Sequence, residues 1–372
     1  MIRQEDQYPE NTCAVAGNPG AHGAPASRKL YIVERKGSFS DEWIEYCSKA
    51  GVDFETVNPY RSDLVSKIRD GAAFLWHWRH DSYKDQLFAR QLFSALASTS
   101  IRTYPDIQTC WHFDDKVAQK YVFEVAGLPA AKSHVFYDQA SADAWLQTCS
   151  YPVVFKLRGG AGALNVRLAR TRAEARKLVR KAFGTGFPYF ERWEIFKQSI
   201  WRARRDRSPR SMAAVFYHLG RSLLPSIRDE SDLHPREIGY AYFQEFIPDN
   251  RFDDRLVVVG DFCFAVRRFC RTGDFRASGS GLKSYEPDAF PKASIELAFR
   301  LADTLKMQSV AIDLVYTANG EPMVVEISFG CVTSVYPGYF DRSGAWHDGE
   351  TSMPVKILEG LIASVGLPPK SM

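Results

Sequence analysis

A predicted β-hairpin that carries two acids in apolar strands constrains this chain more than any other stretch. Residues 311–317 and 323–327 are apolar runs rich in β-branched side chains, and residues 318–322 favour a turn. Asp313 and Glu326 lie inside these runs, one on each strand. A carboxylate in an apolar strand costs free energy unless it is paired or bound to a metal ion. The hairpin is therefore the first place to look for a functional site.

A hydroxyl completes a candidate metal site on this hairpin. Ser328 follows Glu326 by two residues, so both side chains lie on the same face of the strand. Two carboxylates and a hydroxyl oxygen suit a hard cation such as Mg²⁺. The alternative is that Asp313 and Glu326 lie on edge strands and face water.

A second informative stretch places a lysine before a glycine-rich loop. Residues 151–156 are a predicted strand that brings Lys156 into apolar surroundings. Glycines allow backbone N–H groups to approach a phosphate closely, and a lysine adds a positive charge. The lysine precedes the glycines, so this is not a P-loop, and a plain hairpin tip is the alternative. The candidate phosphate-binding glycines are Gly159, Gly160 and Gly162.

Two further stretches place polar side chains at strand ends. A strand ends in Gln244, Glu245, Phe246 and Ile247, and a polar loop follows it. Arg255 then opens a new strand. Residues 262–269 form another predicted strand, which leads into the sequence Gly-Asp-Phe-Arg-Ala-Ser at residues 273–278.

In the order in which they occur along the chain, these four stretches resemble the ATP-grasp superfamily over roughly residues 111–328. The order from Glu245 to Arg276 is similar to the amino-acid ligases of the RimK and glutathione-synthetase-like branch. Two positions depart from these patterns. Ser328 replaces the Asn of a Glu-x-Asn motif, and the pair Ala277-Ser278 replaces Ser-Asn.

The resemblance implies a role for each candidate residue. It implies ATP with one or two Mg²⁺ ions, or Mn²⁺ in their place, held by Asp313, Glu326 and Ser328. It implies that Arg276 stabilises an acyl phosphate and that Arg255 faces the transferred phosphate or the carboxylate substrate, with Arg267 as a further catalytic cation. The implied nucleotide contacts are Lys116, Lys156, Gly159, Gly160, Gly162, Gln244, Glu245, Phe246, Ile247, Asp249, Asp254 and Ser278.

The implied reaction is ATP-dependent ligation of a carboxylic acid to an amine through an acyl phosphate, with release of ADP. The substrates would be small-molecule, peptide or sugar carboxylates and amines. Two alternatives stay open: a phosphotransferase on the same fold, which stops at a phosphorylated alcohol, and a nucleotide-binding protein without catalysis.

The resemblance implies an ATP-grasp fold with α/β and α+β structure, and the alternation of short strands and helices predicts an N-terminal α/β domain. We expect a disordered tail at 1–27, the α/β domain of parallel strands at 28–110 and an ATP-lid subdomain at 111–190. An insertion at 191–236 and a C-terminal subdomain at 237–372 with the magnesium site would follow.

Three segments remain outside the resemblance. The cluster His77-Trp78-Arg79-His80 follows the third predicted strand, and ligands bind beyond the carboxyl ends of such strands. The alternative is packing and capping. The basic run at residues 201–210 of the insertion is expected to be a solvated face, with an anion-binding flap near the acceptor substrate as the alternative. The aromatic, glycine-rich segment 329–349 is expected either to bind a sugar or peptide or to pack over the C-terminal helix.

Composition narrows the class of protein. The chain has 372 residues. It contains no run of about eighteen uncharged apolar residues, which is what a membrane-spanning helix would need. Its seven cysteines lack metal-ligand spacing and fit reduced thiols. The net charge of +4 does not by itself indicate nucleic acid. We expect a cytoplasmic homodimer without a nucleic-acid or membrane partner.

Overall fold

The computed structural model describes residues 29–160, 165–224, 230–331 and 335–367. The expected tail at 1–27 and the candidate Gly162 lie outside these residues. Within the described ranges, every helix is too short or too polar to cross a membrane.

The N-terminal part is an open α/β layer of parallel strands, as predicted. Its strands pair in the order β2-β1-β3-β4. A helix follows each strand along the chain. The elements are β1 (Leu30–Ile32), α1 (Phe39–Ala50), β2 (Phe54–Thr56), α2 (Leu64–Ile68), β3 (Ala73–Leu75), α3 (Tyr83–Leu96), β4 (Arg102–Tyr104) and α4 (Ile107–Cys110).

Serine side chains cap the N-termini of two of these helices. Helix α1 begins at Phe39 because the Ser38 side chain accepts a hydrogen bond from the backbone N–H of Ser40. Helix α3 begins after Ser82, whose side chain accepts from the N–H of Asp85. A capping side chain satisfies an N–H that the first turn leaves without a partner.

The central part is an antiparallel sheet with helices packed on it. The strands pair in the order β5-β8-β6-β7. We call it the lid sheet. The elements are α5 (Lys116–Val125), β5 (Ser133–Phe136), α6 (Gln139–Trp145), β6 (Val153–Lys156), β7 (Val166–Ala169) and α7 (Arg172–Phe183), with β8 (Ala241–Glu245) arriving after the insertion.

The insertion is a helical hairpin rather than a solvated basic segment alone. Its helices are α8 (Arg192–Asp206) and α9 (Pro209–Leu223), followed by a 3₁₀ turn at Glu230–Leu233. Helix α8 packs against the segment at residues 273–281, which we call the Arg276 loop. The Trp201 ring N–H and the Arg205 guanidinium both donate to the backbone oxygen of Ser280, at 3.2 Å each.

The C-terminal part is a mostly antiparallel sheet in the order β13-β12-β9-β10-β14-β15, with β11 paired to β10. Helices α10 and α11 accompany it. The elements are β9 (Phe252–Val259), β10 (Phe262–Phe269), β11 (Lys283–Ser284), a 3₁₀ turn at Pro287–Ala289, α10 (Lys292–Leu305), β12 (Ser309–Tyr316), β13 (Pro322–Ser328), β14 (Val335–Phe340), β15 (Trp346–Ser352) and α11 (Met353–Ser364).

Much of the aromatic segment 329–349 forms strands, which the sequence analysis missed. Strands β14 and β15 pair with each other at the edge of the C-terminal sheet. Tyr336 and Phe340 are buried while Val335 is exposed, so the strand has one face toward the core. The glycines and the proline of this segment concealed the alternation of a half-buried strand.

The N-terminal and C-terminal sheets share one hydrophobic core. That core joins Trp43 and Phe74 of the N-terminal layer to Phe264 and Tyr336 of the C-terminal sheet. Hydrogen bonds cross the same boundary. The Trp43 ring N–H donates to Pro354 O at 2.8 Å, and the hydroxyls of Tyr104 and Ser309 lie 2.7 Å apart. The helix-covered face of the lid sheet has a separate core.

Candidate functional site

A cavity of about 780 Å³ opens where these sheets meet. Segments after β1 and β3 line it from the N-terminal layer, and β6 and β8 line it from the lid sheet. Strands β9, β10, β12 and β13 line it from the C-terminal sheet, and α8 contributes from the insertion. Every part of the fold therefore contributes side chains to one chamber.

The acidic hairpin lies on the cavity wall with its acids side by side. Asp313 on β12 pairs in register with Glu326 on β13, and Ala311 pairs with Ser328. The register shifts between Asp313 and Leu314, directly beside the acids. Asp313, Glu326 and Ser328 all line the cavity. The structure thus brings together the three residues predicted as metal ligands.

Asp313 is held by two arginines from neighbouring strands. Arg255 on β9 donates to both carboxylate oxygens, at 2.7 and 2.9 Å, and Arg268 on β10 lies 2.8 Å from one of them. Burial alone would raise the pKa of Asp313, but the two guanidinium groups outweigh it and hold that pKa below its usual range. Asp253 completes the network through paired hydrogen bonds from Arg268, at 2.6 and 2.7 Å.

Glu326 is paired with a lysine that also contacts the glycine-rich loop. The Lys116 Nζ lies 3.2 Å from Glu326 Oε1 and donates to the backbone oxygen of Gly160 at 2.8 Å. Burial lowers the pKa of Lys116, but the charges of Glu326 and Asp114 raise it above its ordinary value. Lys116 thereby links the hairpin to the glycine-rich loop and keeps its positive charge.

The Ser328 hydroxyl is engaged with its own turn. It donates to Gly330 O at 2.8 Å and accepts from Gly330 N–H at 3.1 Å. The Ser328 oxygen keeps a lone pair that a cation could bind, whereas the hydroxyl proton is donated to Gly330 O.

The fit of these residues to Mg²⁺ depends on ligands that a bound substrate would add. No three His, Cys, Asp or Glu side chains of the described residues converge as a metal cluster. The Glu326 side chain is 28% exposed toward the cavity, whereas both oxygens of Asp313 are occupied by arginines. In nucleotide sites, Mg²⁺ is held by one or two carboxylates together with substrate phosphates. The residues fit an ion that takes most of its ligands from a bound polyphosphate and water.

Lys156 differs from its neighbours because no described carboxylate lies within 4.0 Å of it. It lines the cavity and is 7% exposed. Burial lowers its pKa to about 8, and the nearby charge of Lys116 adds to this effect. A buried cation that makes no close ion pair destabilises the folded protein, and an anionic ligand would offset this cost.

The other predicted nucleotide contacts divide into residues that line the cavity and residues that do not. Gln244, Glu245, Phe246 and Ile247 line the cavity, and so do Gly160 and Ser278. Gly159 packs against Tyr189, where a Cβ would lie 2.5 Å from the ring. Asp249 does not line the cavity and lies in a turn with a φ of +64°.

The predicted roles of Asp254 and Arg267 do not fit the structure. These two residues form a cross-strand pair, and Arg267 donates to both oxygens of Asp254, at 2.7 and 2.8 Å. Neither residue lines the cavity. Their sequence neighbours Asp253 and Arg268 form the corresponding pair on the cavity face. Side chains alternate between faces along a strand, so an assignment shifted by one residue points to the wrong side.

Arg276 lies on the cavity wall and is oriented by an acid in its own loop. Its Nε and one Nη donate to the two oxygens of Asp274, at 2.9 Å each. Its other Nη donates to Val166 O on β7 at 3.4 Å. The loop thereby connects the guanidinium to the lid sheet.

Several cavity residues were not assigned by sequence reasoning. Arg35 lies after β1, and Gln198, Arg202 and Arg205 extend from α8. The cluster after β3 was singled out, and His77, Arg79 and His80 line the cavity. Trp78 lines the cavity too but is almost fully buried in the shared core. The position of Arg35 after a strand of an open α/β sheet was the available signal.

No protein-family model and no curated protein sequence matches the chain. Solved structures resemble it in fold. The D-cycloserine synthetase DcsG has a TM-score of 0.57 at 12% identity and covers 91% of this chain and 99% of its own. The D-alanine–D-alanine ligase from Bacillus anthracis has a TM-score of 0.52 at 13% identity, with 91% and 97% covered. Identities this low establish a shared architecture rather than a shared reaction, and by that architecture the chain has the ATP-grasp fold.

Proposed function

We propose that this protein joins a carboxylic acid to an amine by means of ATP, through an acyl-phosphate intermediate. The observation that carries the proposal is the convergence in one cavity of the acidic hairpin, the buried Lys156 and three arginines. Those arginines are Arg255, Arg268 and Arg276. Such a chamber suits a polyphosphate and a second anion whose charges must be offset together.

The first step is transfer of the γ-phosphoryl group. A carboxylate oxygen of the substrate attacks the γ-phosphorus, the bond to the bridging oxygen breaks, and ADP leaves. Negative charge spreads over the phosphoryl oxygens in this step. Lys156, which lines the cavity, is suited to the nucleotide phosphates. Lys116 does not line the cavity itself and would act on them through the segment at Gly160 to which it donates. Arg276 is suited to the acyl phosphate because a planar guanidinium can hold two oxygens at once. A Mg²⁺ ion at Glu326 and Asp313 would supply further charge neutralisation.

The second step forms the amide bond. The amine nitrogen attacks the acyl carbon and a tetrahedral intermediate forms. Inorganic phosphate then leaves with the electron pair of the C–O bond, and the proton that the amine nitrogen loses passes to the departing phosphate. Arg255 and Arg268 stand beside Asp313, where they can compensate the developing oxyanion. The nucleophiles of the two steps are the substrate carboxylate and the amine, so the reaction needs no cysteine nucleophile from the protein.

The reaction type can be tested with hydroxylamine, which intercepts an acyl phosphate as a hydroxamate. We expect ADP release that depends on an added carboxylic acid, together with an equivalent amount of hydroxamate. The assay is run with Mg²⁺ and panels of amino acids, dicarboxylic acids and sugar acids. ADP release with phosphate transferred to an alcohol, and without hydroxamate, would indicate a phosphotransferase. Nucleotide binding without ADP release under any of these conditions would indicate a non-catalytic protein.

The affinity for nucleotide should depend on pH through the charge of Lys156. We expect the affinity for a non-hydrolysable ATP analogue to fall as the pH rises through about 8, the pKa of this lysine. The charged form predominates below that pH and is lost above it, whereas phosphate binding requires the charged form. Each further pH unit should weaken binding by up to about tenfold. Calorimetry at pH 7, 8 and 9 measures the slope.

The matched variant for this experiment is Lys156→Met, which removes the titrating group. It should bind the analogue more weakly at pH 7 and show little change between pH 7 and 9. An equal slope in the variant would assign the titration to another group.

A further inference from the structure

The N-terminal sheet carries a cation at its topological switch point. In the order β2-β1-β3-β4, the connection after β1 leads to one side and the connection after β3 to the other. Ligands of open α/β sheets bind in the crevice that forms between two such connections. Arg35 follows β1, and His77 and Arg79 follow β3. All three line the cavity.

Arg35 has hydrogen-bonding capacity that the described residues do not use. One Nη donates to the backbone oxygen of His77 at 3.1 Å, which links the two connections. The Nε is buried and has no hydrogen-bond acceptor among the described residues. No carboxylate of the described chain lies within 4.0 Å of the guanidinium. A buried donor without a partner destabilises the folded protein, so its retention calls for an explanation.

The neighbouring cation does not share this property. Arg79 donates to both oxygens of Asp81, at 2.6 and 2.5 Å, so the acid of this crevice is already bound. His77 accepts from the N–H of Phe39 through Nδ1 at 3.4 Å, and burial lowers its pKa to about 3. His77 is therefore neutral at physiological pH. Among the described residues that follow β1 and β3 and line the cavity, Arg35 is the cation that makes no ion pair within 4.0 Å.

Arg35 is also separate from the proposed phosphate site. The charged groups that act most strongly on Arg35 are Arg79, Asp85, Asp81 and Asp41, all in the N-terminal layer. Those that act on Lys156 are Glu326, Lys116 and Asp313. Arg35 follows β1 of the N-terminal layer, whereas Lys156 ends β6 of the lid sheet, so the two cations belong to different parts of the fold. One anion bound at Lys156 would leave the Arg35 guanidinium without a bound anion.

The charge of the whole chamber agrees with a second anion. Among the described residues, nine lysines and arginines and six aspartates and glutamates line the cavity. The nine cations are Arg35, Arg79, Lys156, Arg202, Arg205, Arg255, Arg268, Arg276 and Lys283. The six acids are Asp81, Asp114, Glu245, Asp253, Asp313 and Glu326.

We propose that Arg35 anchors a non-reacting anionic group, a carboxylate or a phosphate, of one of the two substrates that are joined. This inference rests on the proposed ligase function and narrows its substrate class. At least one substrate is then an acidic molecule that carries an anion besides the carboxylate activated by ATP. A neutral amine paired with a simple monocarboxylic acid would leave the guanidinium unused.

The test measures anion binding while the nucleotide site is filled. Full-length protein is saturated with Mg²⁺ and a non-hydrolysable ATP analogue, and malonate or inorganic phosphate is titrated by calorimetry, with malonamide as the uncharged control. We expect one of the two anions to bind and malonamide not to bind. Preference for malonate or for phosphate distinguishes the two anion chemistries.

Variants identify the anchor. Arg35→Met should weaken anion binding about tenfold or more, the scale of one lost charge-assisted contact, and should change the affinity for the nucleotide analogue less than about threefold. Arg35→Lys keeps the charge but not the planar fork, so its affinity should lie between the two. Arg102→Met removes an exposed arginine of β4 and should match the wild type. Unfolding temperatures of all variants are compared because Arg35 also contacts His77.

Three results would overturn the inference: equal anion binding by Arg35→Met and wild type, no anion binding by nucleotide-loaded wild type, or binding lost in Lys156→Met but kept in Arg35→Met. If the nucleotide analogue itself fails to bind, the proposed ligase function fails. Titration of nucleotide-free Lys156→Met protein would then still measure anion binding at Arg35.

Discussion

Replacing Asp313 by alanine is expected to lower the free energy of unfolding by about 3–5 kcal/mol and to abolish ADP release. Asp313 is 6% exposed and compensates Arg255 and Arg268 at once. Its removal leaves two guanidinium groups in a buried network with Asp253 as the remaining acid. Breaking such a network costs more than the pair itself contributes, because the partners stay buried and charged. Urea unfolding and an ADP assay measure the two effects.

A surface pair provides the matched control for this experiment. Arg342 and Asp303 also form an arginine–aspartate pair, at 2.8 Å, but their side chains are 45% and 58% exposed. Asp303→Ala should change stability by less than about 1 kcal/mol and leave turnover intact. Equal destabilisation by the two variants would show that burial of the Asp313 network does not matter. Near-normal turnover by a folded Asp313→Ala protein would remove Asp313 from the proposed chemistry.

Arg276→Lys is expected to slow turnover at least about a hundredfold while the affinity for ATP stays within a few-fold of wild type. A guanidinium that grips an acyl phosphate acts mainly on charge that develops during transfer, so kcat should change more than binding. Loss of one such donor typically costs about 10²–10³ in rate. Asp274 holds Arg276 through two contacts, and a lysine cannot reproduce that geometry. Calorimetry and steady-state kinetics separate the two parameters.

Arg271→Lys is the control for Arg276, because Arg271 lies in the same segment but does not line the cavity. Its guanidinium stacks on the Trp201 ring at 4.6 Å. Turnover should stay close to wild type in this variant. A loss of ATP binding in Arg276→Lys, without a separate loss of kcat, would move Arg276 to the nucleotide site. Equal slowing by both variants would indicate a general effect on the segment.

The fold was predictable because each layer leaves a local signal. Alternating short strands and helices predicted the open N-terminal layer, and the turn at residues 318–322 predicted the hairpin. The acids Asp313 and Glu326 were conspicuous because they interrupt apolar runs. The predicted domain boundaries, the homodimer and the cytoplasmic location stay predictions.

The side on which strand residues project was less predictable. The sequence offers two adjacent acids, Asp253 and Asp254, and two adjacent arginines, Arg267 and Arg268. Each acid pairs with an arginine across β9 and β10, so local chemistry cannot distinguish them. Only the third strand decides the face, because Asp313 lies opposite Arg255. Arg255 has the same orientation as Asp253, two residues away, which places Asp253 and Arg268 on the cavity side.

Arg35 escaped prediction for a related reason. A single arginine after a short strand resembles any surface arginine until the strand order is known. Strands β2 and β3 flank β1, which makes the end of β1 a switch point. That order depends on tertiary packing rather than on local sequence.

The shared core between the N-terminal and C-terminal sheets bears on how substrate preference could be re-engineered. Exchanging residues 29–110 for the corresponding domain of another protein would replace Arg35 and its crevice in one step. Yet Trp43 and Phe74 pack in the same core as Phe264 and Tyr336, and Trp43 donates to Pro354. A transplanted domain would bring a foreign apolar face, and the C-terminal sheet would lose its complementary surface. Grafting only the segments after β1 and β3 keeps this common core intact, so loop grafts should fold where whole-domain chimaeras fail.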